Sequence, residues 1–323
     1  MYLGIDLGAS NIRSAVVDLG AGPPRLLGRD QRPNPVRPDW QAEPDQVVAE
    51  VLASARATLA SAGLTPAGVA GAGCAAAAWA DRTASYLYGE PPVRLAERLS
   101  AGLDGVRTVV DRDTNAAAVA EGTAGAARGV ANFIYLTVST GIGCTIVANG
   151  RMVRGAAGVA GEIGHWPVAP DGPRCPCGLT GCLDMLASGR AVAERYADAA
   201  ERHAGTATAN RHAGIDTRAV FDAVPVDARA AEVVAAAAAA LAGAAVGLVN
   251  LLGPELIVVG GALADHWPEH VVAPIRAAAG GQALGPAAAA VRVEPARFGA
   301  DVGIVGAAIE ARERLGGRTT WFA

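Results

Sequence analysis

Three of the five cysteines of this 323-residue chain fall in "CPCGLTGC" (175–182), and His165 stands ten positions before the first of them. His165, Cys175, Cys177 and Cys182 make a Cys3His set, the ligand number and type of a closed structural zinc site. Thiolate and imidazole donors favour zinc over magnesium or calcium, which prefer oxygen. The other reading is a set of free, packed cysteines. Against it, Gly172, Pro173, Pro176, Gly178 and Gly181 mark a loop with no helix or strand to bury them. Four protein ligands leave no open coordination position, so a metal there folds the loop and aims its neighbours rather than activating water. Those neighbours include Glu162, three residues before His165, and Asp184, two after Cys182. Carboxylates pinned in this way can accept paired hydrogen bonds from adjacent hydroxyls of a polyol, although each taken singly also reads as a solvated surface acid.

Two further stretches have the residue types of phosphate loops. "DLGASNIR" (6–13) follows a strand-like run, turns on small residues and ends in arginine, and "STGIG" (139–143) repeats the strand-to-glycine design. Glycines and hydroxyls let backbone N–H groups approach phosphate oxygens closely. One such loop alone is an ordinary turn between strands; two, one in each half, point to a nucleotide held between lobes. Asp113 falls immediately after a strand-like run and in the first turn of a helix-like one. The helix dipole favours its ionised form, which suits a carboxylate that orients a hydroxyl and accepts its proton in phosphoryl transfer. The plainer reading is a helix cap, and "DRDTN" offers several candidates for that task.

The elements that must hold these residues alternate strand and helix. "YLGID", "IRSAVVDL" (12–19) and "RLLGRDQ" (25–31) predict a three-strand meander, and residues 43–63 predict a helix ending at a glycine. A buried strand over "GVAGAGCA", a loop containing Trp79, a helix over 92–100, a strand over 106–111 and a helix over 113–127 follow. "FIYLTVSTGIGCTIVANGRMV" then reads as strand, turn, strand and an Asn-Gly hairpin, so the pattern restarts and predicts two α/β lobes related by duplication. The remainder predicts an Ala-rich helix, a strand over 255–261, a helix over 267–279, a strand over 291–295 and a helix over 301–315, with 203–230 as a surface connection. Gly261 ends a hydrophobic strand, where α/β folds place ligands.

Composition excludes some classes. A balance of 27 Lys+Arg against 31 Asp+Glu, net −4, with no run of like charge, argues against nucleic acid or an anionic membrane as partner. The tract Val233–Leu252 has the length of a membrane span, yet it is Ala-dominated, holds Gly243, Gly247 and Asn250, and lacks basic flanks, so it predicts a buried helix. With no export signal and clustered thiols, the expected compartment is the cytoplasm. Aromatics make up only 4% of the chain, so its core must be built from small aliphatic side chains.

Taken together these motifs resemble the ROK (repressor, open reading frame, kinase) family of sugar kinases and repressors, within the actin-like ATPase superfamily. "DLGASNIR" resembles its first phosphate motif, "DRDTNAAAVAE" its catalytic helix and "STGIG" its second phosphate loop. "GAAGVAGEIGH" running into "CPCGLTGCLD" resembles its sugar and zinc signature, and "VVGGAL" (258–263) its adenosine strand. The resemblance implies an α/β fold of two ribonuclease H-like lobes with an interlobe cleft and a zinc-binding loop over 165–182. The first lobe would span 1–113, completed by the C-terminal helix 301–323, and the second 114–300. It implies a kinase using ATP and Mg2+, with structural Zn2+, that phosphorylates the hydroxymethyl group of a sugar-like small molecule, assembled as a homodimer or homotetramer. Asp113 would be the base. Arg112, Glu162, His165 and Asp184 would face the substrate, His165 also ligating zinc with Cys175, Cys177 and Cys182. Asp6, Gly8, Ser10, Asn11, Arg13, Thr140, Gly141, Gly143, Gly260 and Gly261 would surround Mg2+–ATP.

The departures from the family pattern fall on the substrate side. Arg112 stands where an asparagine usually precedes the catalytic aspartate, Ala75-Ala76-Ala77 where Pro-Gly-Pro is usual, and Asp184 where glutamate is commoner; Ala9 and Ser10 replace Gly and Thr. The segment that normally helps close over glucose is not recognisable in "WADRTASYLYGE" (79–90). These changes argue against plain glucose. A cationic Arg112 facing the substrate disfavours an amino sugar and suits a neutral sugar or a C7-cyclitol with a keto group. Some members act on such cyclitols or on amino sugars in antibiotic pathways, and the Ala/Gly/Arg-rich composition fits a high-GC actinobacterial origin. An amino-sugar 6-kinase, or an ordinary glucokinase or fructokinase with Arg112 turned outward to a salt bridge, are the alternatives. A repressor of the family carries a further N-terminal helix-turn-helix segment, for which the residues before the first phosphate strand leave no room. A non-catalytic sugar sensor is opposed by the retention of Asp113.

Overall fold

The structure, a computed structural model, describes residues 1–35, 43–76, 79–80, 85–86, 94–204, 216–317 and 321. Much of the expected loop around "WADRTASYLYGE", together with Ala77 and residues 205–215, lies outside them. Two compact units form. One comprises Met1–Ala131, Val147–Ala160 and Ala300–Ala323, the other Asn132–Ile146 and Gly161–Gly299.

The first unit opens with the meander β1 (Tyr2–Leu7), β2 (Asn11–Asp18) and β3 (Arg25–Pro33), followed by α1 (Pro44–Ser61), β4 (Ala72–Ala76), the short pair β5 (Trp79–Ala80) and β6 (Ser85–Tyr86), α2 (Leu95–Gly102), β7 (Thr108–Arg112) and α3 (Asp113–Ala124). Its five-stranded sheet runs β3-β2-β1-β4-β7, with β1, β4 and β7 mutually parallel. A second meander, β8 (Phe133–Val138), β9 (Ile142–Ala148) and β10 (Arg151–Val153), opens the second sheet, with β10 and the last two residues of β9 falling in the first compact unit. Helices α4 (Asp184–Ala187), α5 (Gly189–Ala204), α6 (Thr217–Ala223) and α7 (Ala228–Leu252) come next. They are followed by β11 (Leu256–Gly260), α8 (Ala262–His266), α9 (Val272–Gln282), α10 (Gly285–Ala290) and β12 (Arg292–Pro295), before α11 (Val302–Leu315). The order β10-β9-β8-β11-β12 repeats that of the first sheet, strand for strand. The Asn-Gly hairpin is present, with Asn149 and Gly150 both at positive φ, as its mirror-image turn requires.

The two faces of the first sheet are packed by different means. Leu3, Ile5 and Leu7 alternate along β1 onto one face, where they meet Val47 and Val51 of α1 and Leu95 and Leu99 of α2. On the opposite face Ala15 and Val17 of β2 meet Ile304 and Ala308 of α11, while β1 and β4 approach the helix backbone to backbone. A Cβ on Gly4 or Gly73 would overlap the backbone carbonyls of Ile304 or Ala307, and one on Gly306 would overlap that of Ala116. The Ala/Gly-rich composition is therefore the means by which α11 and α3 approach the sheet. Because α3 packs on α11, β4 and β7, the compact division falls after Ala131 and not at the expected 113/114.

In the second unit, the buried face of α7 (Val233, Val234, Ala237, Leu241, Ala245, Leu248) joins Ile134, Leu136, Ile257 and Val259 of the sheet. By length and composition this is the one helix among the described residues able to cross a membrane; its packing is that of a core helix. Residues 217–223, expected within a surface connection, are a helix instead. Asp216 caps it by accepting from the Arg218 N–H, and Val220 and Phe221 are buried. Helix α9 begins at Val272, because 262–266 forms a separate short helix and a turn intervenes where a helix from 267 was expected.

Candidate active site

Asp6 lies near the carboxyl end of β1, and Asp113 follows β7 directly, so both stand at the same edge of the parallel strands, where open α/β sheets bind ligands. Asp6 pairs in register with Arg13, whose guanidinium is 3.6 Å from its carboxylate. Burial pushes the Asp6 carboxyl up to about 7 and the charge of Asp113 adds to this, against the pull of Arg13. A Cβ on Gly303 would sit 2.8 Å from Asp6 Cγ, so the second residue of α11 is glycine where the helix meets this acid. The turn between β1 and β2 is closed by Gly8 N–H donating to Asn11 O at 3.0 Å. Asn34, at the far end of β3, braces it: Asn34 N–H donates to Ser10 O at 3.0 Å and Asn34 Nδ2 to Gly8 O at 2.8 Å. Motif spacing alone did not reveal Asn34. Its only sequence signal is its place just after a strand that pairs with the loop's own strand.

Asp113 Oδ1 accepts the Thr114 N–H at 2.7 Å in the first turn of α3. The acid two residues before it is structural. Asp111 is buried, and although burial raises its pKa, the forked contact from Arg154 outweighs this and holds it below the usual carboxylate value. Asn115 Nδ2 and the Arg112 N–H also donate to Asp111 Oδ1, at 2.7 and 2.8 Å. Arg112 is itself buried, and its NH1 donates to Ala160 O at 3.1 Å.

In the second unit the loop between β8 and β9 is gripped through its carbonyls. Gly189 N–H donates to Ser139 O at 2.8 Å and Arg190 N–H to Thr140 O at 3.4 Å, both from the first turn of α5, while Ser139 N–H closes the loop on Gly141 O at 3.0 Å. Gly143 lies just beyond, in β9. Asp184, expected beside Glu162 on a polyol-facing surface, accepts the Ile142 N–H at 2.8 Å and the Arg190 guanidinium at 3.3 Å. Glu162 precedes the turn Ile163–His165. Its flanking glycines let the segment lie on β9, since a Cβ on Gly161 or Gly164 would overlap the carbonyls of Cys144 or Ile142. Gly260 ends β11 and Gly261 has φ +95°; a Cβ there would meet Val138 O at 2.6 Å.

The four soft ligands converge. All ligand atoms of His165, Cys175, Cys177 and Cys182 lie within 4.8 Å of one another, with Cys175 Sγ 3.6 Å from His165 Nδ1 and Cys177 Sγ 3.6 Å from Cys182 Sγ. Tetrahedral zinc, with bonds of about 2.0–2.3 Å, sets ligand separations of about 3.5–3.8 Å; the two 3.6 Å separations match this, and the donor types suit zinc. The loop is shaped for it by Gly178 and Gly181 at positive φ and by Cys175 N–H donating to Leu179 O at 2.8 Å.

The model of the ROK family matches residues 2–314. A glucokinase of Halalkalibacterium halodurans is 36% identical over 203 residues, so that the match spans 61% of this chain and 61% of that protein. An N-acetylmannosamine kinase of Citrobacter koseri is 30% identical over 315 residues, 96% of this chain and 98% of that one. Among solved structures, a ROK family glucokinase from Streptomyces griseus in complex with glucose and AMPPNP has a TM-score of 0.77 at 28% identity, covering 96% of this chain and 99% of that one.

Proposed function

The chain belongs to the ROK family, and we propose that it is an ATP-dependent sugar kinase in which Asp113 is the base that takes the proton of a hydroxymethyl group. The observation that carries this reading is the pair of acids at the carboxyl edge of β1 and β7: Asp6 with Arg13 in register beside it, and Asp113, whose Oδ1 accepts the Thr114 N–H in the first turn of α3. Asp113 orients the acceptor hydroxyl and removes its proton as that oxygen attacks the terminal phosphorus of ATP, with ADP leaving. Asp6 is the oxygen donor suited to Mg2+, which supplies charge neutralisation at the phosphates when bound. The loops of Gly8, Ser10 and Asn11, and of Thr140, Gly141 and Gly143, take phosphate oxygens, and Gly260 and Gly261 the adenosine. His165, Cys175, Cys177 and Cys182 would hold zinc, which would supply order to the segment that carries Glu162 and His165 as ring-hydroxyl contacts. A homodimer or homotetramer is the assembly the family resemblance implies.

On the substrate side, Arg112 supports a reading away from plain glucose. A buried guanidinium fixed on Ala160 O sets a cation one residue before the base, which opposes a cationic amino sugar and suits a neutral polyol such as a C7-cyclitol, in a specialised pathway such as antibiotic biosynthesis. The relatives named glucokinase and N-acetylmannosamine kinase favour a second reading, a common hexose or an N-acylated amino sugar.

Asp113→Ala tests the assignment. Turnover should fall by roughly 10^2–10^4, while calorimetric binding of the sugar and of Mg2+–AMPPNP persists. A variant with near-normal turnover removes Asp113 from the base role.

A further inference from the structure

The Asp184 carboxylate is engaged in a way that the motif pattern does not lead one to expect. Its Oδ1 accepts the Ile142 N–H at 2.8 Å, at the point where the Ser139–Gly141 turn re-enters β9. Its Oδ2 receives Arg190 NH2 at 3.3 Å. The side chain is only 16% exposed and its arginine partner 28%. Gly141 is so close that a Cβ there would lie 3.3 Å from Asp184 Oδ1. Arg190 is the second residue of α5, whose first two N–H groups hold the carbonyls of Ser139 and Thr140. Arg190 is steadied in turn by Met185 Sδ at 3.7 Å and Glu194 at 4.0 Å. The turn is thus held on its carbonyl side by the start of α5 and on its amide side by Asp184, with Arg190 joining the two grips.

A ring hydroxyl seeking this carboxylate would compete with a backbone amide and a guanidinium, both charge-assisted contacts. The side chain is also one methylene shorter than glutamate, a length that seats its oxygens at Ile142.

From this geometry we propose that Asp184 and Arg190 are positioning residues for the turn 139–142, serving the nucleotide side of the reaction, and that Asp184 is not a sugar contact. The turn's carbonyls are engaged by α5, and no bond from Thr140 N–H or Gly141 N–H is formed among the described residues. Those are the groups a phosphate oxygen would take. This rests on the reading of 139–143 as a phosphate loop, and the test separates the two.

The experiment compares the full chain with Arg190→Gln, Arg190→Lys and Asp184→Glu. Calorimetry with Mg2+–AMPPNP and with whichever of glucose, N-acetylmannosamine and a C7-cyclitol the wild type turns over fastest is combined with KM values for ATP and that acceptor and with hydrogen exchange over residues 139–146. Arg190→Gln should weaken AMPPNP binding about tenfold, the loss expected of a charge-assisted contact, leave the acceptor dissociation constant within about twofold, and speed amide exchange at Ile142. Arg190→Lys should recover part of this, and Asp184→Glu should raise the KM for ATP. If Asp184→Glu instead tightens acceptor binding, or Arg190→Gln shifts the acceptor constant more than the nucleotide constant, the inference is overturned and the phosphate-loop reading stands. Wild-type protein that does not bind AMPPNP overturns both. Unchanged exchange at Ile142 in Arg190→Gln removes the brace whatever the binding shows.

Discussion

The loop after β1 and the loop after β8 make the same strand-turn-strand corner from small residues, yet different materials hold them. In the first unit the support is the sheet. Gly8 closes on Asn11, Asp6 faces Arg13 across the ladder, Asn34 ties the turn from the end of β3, and α11 lies so close behind that Gly303 must lack a side chain. In the second unit the support is charge and helix ends. Helix α5 takes two carbonyls, Asp184 takes an amide, and the neighbouring segment 165–182 turns on a cluster of thiols and imidazole. One corner is held by close packing and the other by ligands and ion pairs, so the two should fail under different perturbations.

The largest separation should come from Cys177→Ser. Cys177 is exposed, so its loss creates no cavity, yet it removes one of four zinc ligands, and structural zinc supplies folding free energy outright. Bound zinc should fall from stoichiometric to negligible, and limited proteolysis should begin to cut between 165 and 182 while the first unit stays resistant. Full zinc content in that variant contradicts the ligand assignment. A smaller, opposite-signed pair sharpens the contrast. Gly306→Ala drives a methyl into the Ala116 carbonyl and should cost about 1–3 kcal/mol by overpacking, whereas Gly243→Ala on α7, where a Cβ meets nothing within 4 Å, should gain up to about 1 kcal/mol in helix propensity. Equal melting shifts in the two variants would deny that the α11 face depends on backbone contact.

These outcomes also mark how far the sequence could be read. The strand meanders, the Ala-rich α7, the Asn-Gly hairpin and the restart of the pattern after residue 132 were legible because each is written in local periodicity and turn chemistry. The Cys3His set was legible because ligand type and spacing are local too. Helices α4, α5 and α6 were not read: α4 follows the cysteine and glycine loop, and the apolar positions of α6 are too few to show a period until the burial of Val220 and Phe221 is known. The partners of the site acids were hidden for a related reason. Asp111 meets Arg154 from 43 positions away, Asp184 meets Ile142 from 42 away, and Asn34 reaches Gly8 from 26 away. Residue types named the acids, whereas register and packing decided which were engaged. Arg112 illustrates this too, because one of its contacts, the Ala160 carbonyl, lies 48 positions away in the sequence.

The central claim, that this chain moves a phosphoryl group from ATP to a polyol, is tested most directly by mixing the full protein with Mg2+–ATP and a panel of hexoses, N-acetyl and free amino sugars, and C7-cyclitols, following ADP release and locating the phosphate by NMR. The account predicts ADP formation that depends on the added polyol, with the new ester on its hydroxymethyl carbon. ADP release indifferent to every acceptor, or none with any of them despite bound nucleotide, would contradict it.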